Sequence, residues 1–242
     1  MGIQWDIPFQ PASGEVITMS NSLAMTLKSS IVKKQLVGVT GLLLCGFLLT
    51  HLAGNLLIFV GPEAFNYYAH KLTSNPLIYV AEAILAAIFL GHMGMAIKVT
   101  MENKAARPEG YYMKTKTGRG STFASSTMPY TGLILLAFLI WHLTGLKFGA
   151  HYEVTYDGET IRDLFRLVME KFSNPVYVAG YVACMFAMGI HVSHGFWSAF
   201  QSVGFNNRSY QPKIRTTAIT FALVVGAGFS ILPIYCFLSG VN

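Results

Sequence analysis

His51, His92, His142 and His191, four of the seven histidines, lie inside long apolar runs, as does His194. An ionisable side chain in such a setting is costly and is a functional candidate by default. One imidazole alone could be a metal ligand, a proton relay or a hydrogen-bonded packing residue. Four are more informative, because their depths agree in pairs. His51 is 17 residues past Lys34, so a helix carries it roughly 26 Å from that boundary. His142 is five residues before Lys147 and belongs near the same face. His92 is six residues before Lys98, roughly 9 Å from the opposite face. Internal repetition, described below, puts His191 at the level of His92. The pairs are His51 with His142 and His92 with His191, at levels roughly 16 Å apart.

Two facing imidazoles suit a low-spin haem iron with both axial positions filled. That arrangement favours electron transfer over oxygen activation. Two such b-type haems at two depths would form a transmembrane electron wire. Zinc is a weaker alternative, because it gathers three or four ligands at one depth. A transporter or receptor relaying protons through histidines is the non-redox alternative. Small residues flank each ligand: Gly54, Gly91, Gly94, Gly145, Gly189 and Gly195. They leave room for a porphyrin, or for ordinary close packing of membrane helices. His194 competes with His191 for the inner site. His70 and His151 fall in outer segments and read as solvated.

The elements that must position these residues are membrane helices. The chain has 242 residues, 53% hydrophobic and only 12% charged, against about 25% charged in a soluble domain. Five apolar runs, about 33–60, 77–100, 128–149, 175–200 and 216–238, each reach the roughly 20 residues a span needs. The fold class expected is an all-α membrane protein with five transmembrane helices, the first four forming the haem-binding bundle. Residues 1–32 read as a polar cytoplasmic arm and 33–242 as the membrane domain. The arm contains Asp6, Pro8, Pro11 and Glu15 and no apolar core of a signal peptide. Cys45, Cys184 and Cys236 sit within apolar runs without metal spacing and read as packing residues.

The net charge of +6 is unevenly placed. Counting the flanking Lys33, Lys34 and Lys98, the side receiving the N-terminus and the loops 101–127 and 201–215 holds twelve Lys and Arg; the other holds five. The positive-inside rule puts the N-terminus in the cytoplasm and the C-terminus outside. The basic loops face headgroups or a docked subunit, and a nucleic-acid partner is not expected.

The chain also repeats itself. Thr40–Gly54 and Thr131–Gly145 are identical at nine of fifteen positions, with His51 on His142. Ser74-Asn75-Pro76 and Ser173-Asn174-Pro175 open the second and fourth spans, and His92 and His191 each lie 16 residues past their proline. This shared offset selects His191 over His194. Proline suits a first helical turn and the residue before it resists helix, so each triplet marks a helix start. Before the second triplet, Ile161, Leu164, Phe165, Val168 and Phe172 follow one helical face, as expected of an interfacial helix. Pro62–Leu72 is a shorter version. The first four spans are therefore two copies of one hairpin, related by a pseudo-twofold axis along the membrane normal.

The chain resembles the dihaem cytochrome b membrane subunit of succinate dehydrogenase and fumarate reductase, of the single-subunit type with five spans. The resemblance covers roughly residues 30–238. It rests on Thr40-Gly41 followed by His51, on Gly91-His92, on Trp141-His142 and on His191-x-x-x-Gly195-Phe-Trp197. The segment Arg119-Gly-Ser-x-x-Ala-Ser-Ser-x-Met128 adds to it. The resemblance implies two haems b, the distal on His51 and His142 and the proximal on His92 and His191. It implies a multi-pass subunit of the bacterial inner membrane, in a respiratory chain linked to the tricarboxylic acid cycle. An iron–sulphur subunit would dock on the cytoplasmic side and carry an FAD-containing flavoprotein where succinate and fumarate interconvert. This chain would exchange electrons with menaquinone, and a dimer of such heterotrimers is a candidate assembly. A dihaem subunit of another respiratory enzyme, such as a hydrogenase or formate dehydrogenase, is the alternative.

Quinol oxidation needs a proton acceptor beside the site, and the resemblance implies an acid near the distal haem. Glu63, after the first span, and Glu82, six residues past Pro76, are the candidates. Each has a plainer reading: a surface acid for Glu63, and a protonated or Lys- or Tyr-bonded structural acid for Glu82, whose repeat partner is Tyr181. Lys98, Arg119, Ser125 and Ser126 are candidate contacts for the proximal haem propionates, or a solvated basic flank. Tyr67, Tyr68, Tyr177 and Trp197 read as interfacial belt residues. Some fumarate reductases of this type carry a glutamate two residues before the fourth ligand. Here that position is Gly189, which leaves a proton path there without its acid.

Overall fold

In the computed structural model the described residues are 29–106, 123–205 and 207–240. Most of the expected polar arm, and Arg119, lie outside them. Five helices are long and apolar enough to cross a membrane, and the protein is an all-α membrane protein in architecture. The first span is α1 (Ser30–Asn55), continued by a 3-10 turn, Leu56–Phe59. The short helix α2 (Pro62–Thr73) leads into the second span, α3 (Leu77–Ala105). The third span is α4 (Phe123–His142), which ends in a π turn, Leu143–Lys147. Then come two short strands, β1 (Glu153–Tyr156) and β2 (Glu159–Arg162), and the helix α5 (Leu164–Phe172). The fourth and fifth spans are α6 (Pro175–Ser202) and α7 (Gln211–Gly240). Several helices outrun their apolar runs, because backbone hydrogen bonding continues past the hydrocarbon boundary.

The Asn-Pro starts are built as their chemistry suggests. The Asn174 side chain accepts from the backbone N–H groups of Val176 and Tyr177 at 2.9 and 3.3 Å. The Asn75 side chain accepts from Leu77 N–H at 3.0 Å. Each satisfies backbone donors that a helix start leaves without a partner.

The stretch before α5 differs from expectation. Ile161 does not open an amphipathic helix; it lies on β2 and is buried there. The strands form an antiparallel hairpin closed between Tyr156 and Glu159. Asp157 and Gly158 both have positive φ, 50° and 85°, as a two-residue type I′ turn requires. The alternation of residues 153–162 then puts Ile161 on the protein side. Helix begins only after Asp163, whose carboxylate accepts from Arg166 N–H at 3.0 Å. Asn66 of α2, fully buried, fastens this cap. It donates to Asp163 at 2.9 Å and accepts from Phe165 N–H at 2.8 Å.

The spans form a ring in which α1 packs on α3 and on α6, and α6 on α4. Contact between α3 and α4 is slight. The fifth span, α7, packs along α6 and also touches α1. The tightest core lies here: Cys45, Met185, Met188, Val192, Ala222 and Val225 join α1, α6 and α7. A second cluster joins them to the short helices through Leu52, Phe65, Val168, Phe172, Tyr181, Leu232 and Cys236. Cys45 and Cys236 are buried packing residues with free thiols. Gly226 of α7 lies against α6, where an added Cβ would make ordinary contact with the Met185 carbonyl oxygen at 3.6 Å and with Gly189 at 3.7 Å. In contrast, α3 buries none of its residues. The four-span ring is thus dense on the α7 side and open between α3 and α4.

One flank cation departs from expectation. Lys33 is buried, with its ammonium on both carboxylate oxygens of Glu102 at 2.6 and 2.5 Å. It pins the start of α1 to the end of α3 instead of facing headgroups.

Candidate functional site

The four histidines meet in the pairs that depth suggested. Near the hairpin end, the His51 and His142 ring centres are 5.8 Å apart and their planes 85° apart. An iron held by two imidazoles sets the ring centres about 6 Å apart, given metal–nitrogen bonds of about 2 Å. Phe47 stacks on His51 at 5.2 Å, Phe229 approaches the same ring at 5.6 Å, and Phe138 lies 5.6 Å from His142. The surroundings are apolar and aromatic. Tyr181 brings its hydroxyl to 3.4 Å from His142 Nδ1, and Tyr177 lies 3.2 Å from Tyr181.

Toward the other end, His92 and His191 are within electrostatic reach of each other. Each is held the same way by the preceding span. His92 Nδ1 lies 3.1 Å from the Val37 carbonyl oxygen and 3.1 Å from Thr40 Oγ1. His191 Nδ1 lies 3.0 Å from Thr131 Oγ1, and the Met128 carbonyl, which accepts from that threonine at 3.1 Å, lies beside the ring. Val37 and Met128, like Thr40 and Thr131, are repeat partners. Gly41 and Gly132 let the rings in: an added Cβ would lie 3.2 Å from His92 Cε1 and 3.5 Å from His191 Cε1. His194 has no such arrangement; its ring stands edge-on to Trp197 at 5.8 Å.

These contacts fix the inner tautomers. Thr40 donates its proton to the Leu36 carbonyl at 2.6 Å, so toward His92 it can only accept. Both partners of Nδ1 are acceptors, so Nδ1 carries the proton and Nε2 keeps its lone pair. Metal-binding histidines are usually held in this way. Among the described residues, no three or more His, Cys, Asp or Glu side chains gather as a metal site; the histidines come in twos. The donor set, the paired spacing and the open side of the ring together fit two bis-imidazole haems.

The glycines divide by role. Cβ atoms on Gly91 and Gly94 would meet nothing within 4 Å. Gly54 and Gly145 instead admit the rings of Tyr68 and Tyr177. These two tyrosines are therefore packed against spans rather than being interfacial belt residues alone. Trp197 donates to Gln211 at 2.9 Å.

The two acids occupy different places. Glu82 is half-buried and ion-paired with Lys147, five residues past His142. Glu63 is exposed in the first turn of α2. Lys98 is exposed on α3. Ser125 and Ser126 lie in the first turn of α4 and have partners of their own. His70 pairs with Glu159 at 3.2 Å, and His151 lines the same cleft beside the β hairpin.

Four residues that the sequence does not single out make the contacts described above: Thr40 and Thr131 on the histidines, and Lys33 with Glu102. The threonines had a signal, since they head the repeated block. The ion pair had none, because its partners are 69 residues apart.

Among known proteins, the chain is similar to the succinate dehydrogenase cytochrome b558 subunit of Bacillus subtilis (strain 168). The two are 27% identical over 188 residues, 76% of this chain and 84% of that one. No protein-family model matches the chain, and no solved structure matches it. That relative is a subunit of the kind the sequence resembles.

Proposed function

We propose that this chain is the membrane-anchoring dihaem cytochrome b of a complex that interconverts succinate and fumarate. Its work is to carry electrons between a menaquinone pool and a docked iron–sulphur and flavoprotein pair. The reading rests above all on the two histidine pairs at two depths, each pair shared between the two repeated hairpins. The similarity to a succinate dehydrogenase cytochrome subunit supports this choice of complex.

His51 and His142 would hold the distal haem and His92 and His191 the proximal one. Bound between two imidazoles, a haem supplies a one-electron couple with no open position for oxygen. The protein's part is to hold the ligand pairs apart in depth, so that electrons cross the bilayer in two stages. It excludes water with Phe47, Phe138 and Phe229 around the distal pair. It fixes the inner ligands' tautomers through backbone carbonyls and threonines.

Oxidising a quinol releases two protons with two electrons. Glu82 is the favoured acceptor: it lies within a span and is ion-paired with Lys147, five residues past His142. Glu63, exposed at the surface, would pass protons onward. The N-terminal side, rich in Lys and Arg, would face the cytoplasm and its docked subunits. The hairpin cap would face outward.

Purification through a tag on this chain, from its own membranes, tests the reading. FAD and iron–sulphur proteins are expected to co-purify, and succinate is expected to reduce added menaquinone analogue. A haem-loaded chain that brings down neither partner, or a hydrogenase in their place, would overturn the assignment to this complex.

A further inference from the structure

The inner histidines are each held by a threonine; among the described residues, no threonine contact is made by the outer ones. Thr40 and Thr131 stand 91 residues apart in sequence, on different hairpins, yet make the same contact at 3.1 and 3.0 Å. In each case the hydroxyl has carbonyl acceptors within its own helix for its proton, Leu36 or Val37 for Thr40 and Thr127 or Met128 for Thr131, which leaves its oxygen able to accept. The oxygen lone pair is therefore turned to the imidazole N–H. The outer pair has a different environment, with a single tyrosine hydroxyl at 3.4 Å from His142.

We propose that Thr40 and Thr131 are matched positioning residues that act on one haem only, the inner one. Each accepts from the Nδ1–H of its histidine, fixes the ring's rotation and tautomer, and raises the ligand's basicity. The inference rests on the dihaem reading above.

The physics gives a sign. A second acceptor on Nδ1–H pushes electron density toward Nε2 and favours ferric over ferrous iron. Replacing the hydroxyl by a methyl removes that acceptor and makes the surroundings less polar. Both effects raise the inner midpoint potential. The Val37 and Met128 carbonyls remain, so ligation itself survives. Because each threonine sits in the same hairpin as its histidine, each hairpin orients its own ligand before the two hairpins meet.

The test uses the intact complex, with redox titration and low-temperature electron paramagnetic resonance of the two haems. His92→Ala and His51→Ala first assign the inner and outer signals. Thr40→Val and Thr131→Val are each expected to shift the inner midpoint upward and change its low-spin signal. The outer midpoint and signal stay fixed. Thr40→Ser, which keeps the hydroxyl, is expected to restore both. Thr100→Val is the control: it lies on α3 and bonds only its own helix at Ala96, and it should move neither haem. Absence of haem from the wild-type protein would sink the dihaem reading itself. Two haems in the wild type with no inner shift in Thr40→Val would overturn only the present inference. So would inner and outer shifts of equal size. If Thr40→Val does not assemble, Thr131→Val with Thr131→Ser decides the matter in the same way.

Discussion

Glu82 and Lys147 form an ion pair that joins two spans with little other contact, α3 and α4. Glu82 reaches across the open side of the ring, close to the level of His142. A half-exposed pair of this kind contributes little stability, so its value is better sought in chemistry. Glu82→Gln is expected to lower quinol oxidation about 100-fold, the range for losing a positioned proton acceptor. Haem content should be unchanged, and so should haem reduction from the succinate side. Glu63→Gln should have a much smaller effect. Wild-type quinol kinetics in Glu82→Gln with both haems present would remove Glu82 from the mechanism.

The Lys33–Glu102 pair should respond asymmetrically. Lys33 is 6% exposed in its side chain and Glu102 43%. Glu102→Gln strands a buried ammonium, whereas Lys33→Met leaves a carboxylate that water can reach. Losing the partner of a buried charge costs about 3 kcal/mol or more, so Glu102→Gln is expected to lower the thermal midpoint of haem loss well below that of Lys33→Met. Equal losses would mean that Lys33 extends to the headgroups instead.

How far the sequence reaches can be judged from these residues. The histidine pairs were legible because helical rise turns residue offsets into depth, and because the two Asn-Pro starts share one offset. The five spans were legible from run length alone. By position Lys33 reads as a flank cation; its partner Glu102 comes from another span, and only packing brings the two together. The hairpin was overlooked for another reason. Asp157-Gly158 is a strong turn signal, but the apolar spacing from Ile161 to Phe172 also fits a helix. Tertiary burial of Ile161 on β2 decides between them.

The cap depends on Asn66, which is fully buried and bonded on both amide atoms. Asn66→Ala strands the Phe165 N–H and takes a partner from Asp163. A cost of about 2 kcal/mol is expected. Limited proteolysis should then cut within residues 150–163 faster than in the wild type, with haem spectra little changed. Unaltered proteolysis would show that the cap is held by other contacts.

The same cap should loosen at high pH. Tyr152 donates a 2.7 Å hydrogen bond to Glu170. That bond first, and then burial, hold the phenol above its ordinary value near 10. A raised folded-state value means the tether is intact below the ordinary tyrosine value. It is lost as pH climbs through the raised one. Proteolysis of the hairpin is expected to accelerate above about pH 10, and Tyr152→Phe should remove that step. A step that persists in Tyr152→Phe would assign it to another group.

The central claim is that the two histidine pairs hold two haems. The most direct measurement is a pyridine haemochrome assay on the purified chain, with protein quantified independently. The account predicts two haems b per chain, falling to one in His51→Ala and to one in His92→Ala, with different spectral components lost. No haem in the freshly purified protein, or a single haem lost equally in both variants, would contradict it.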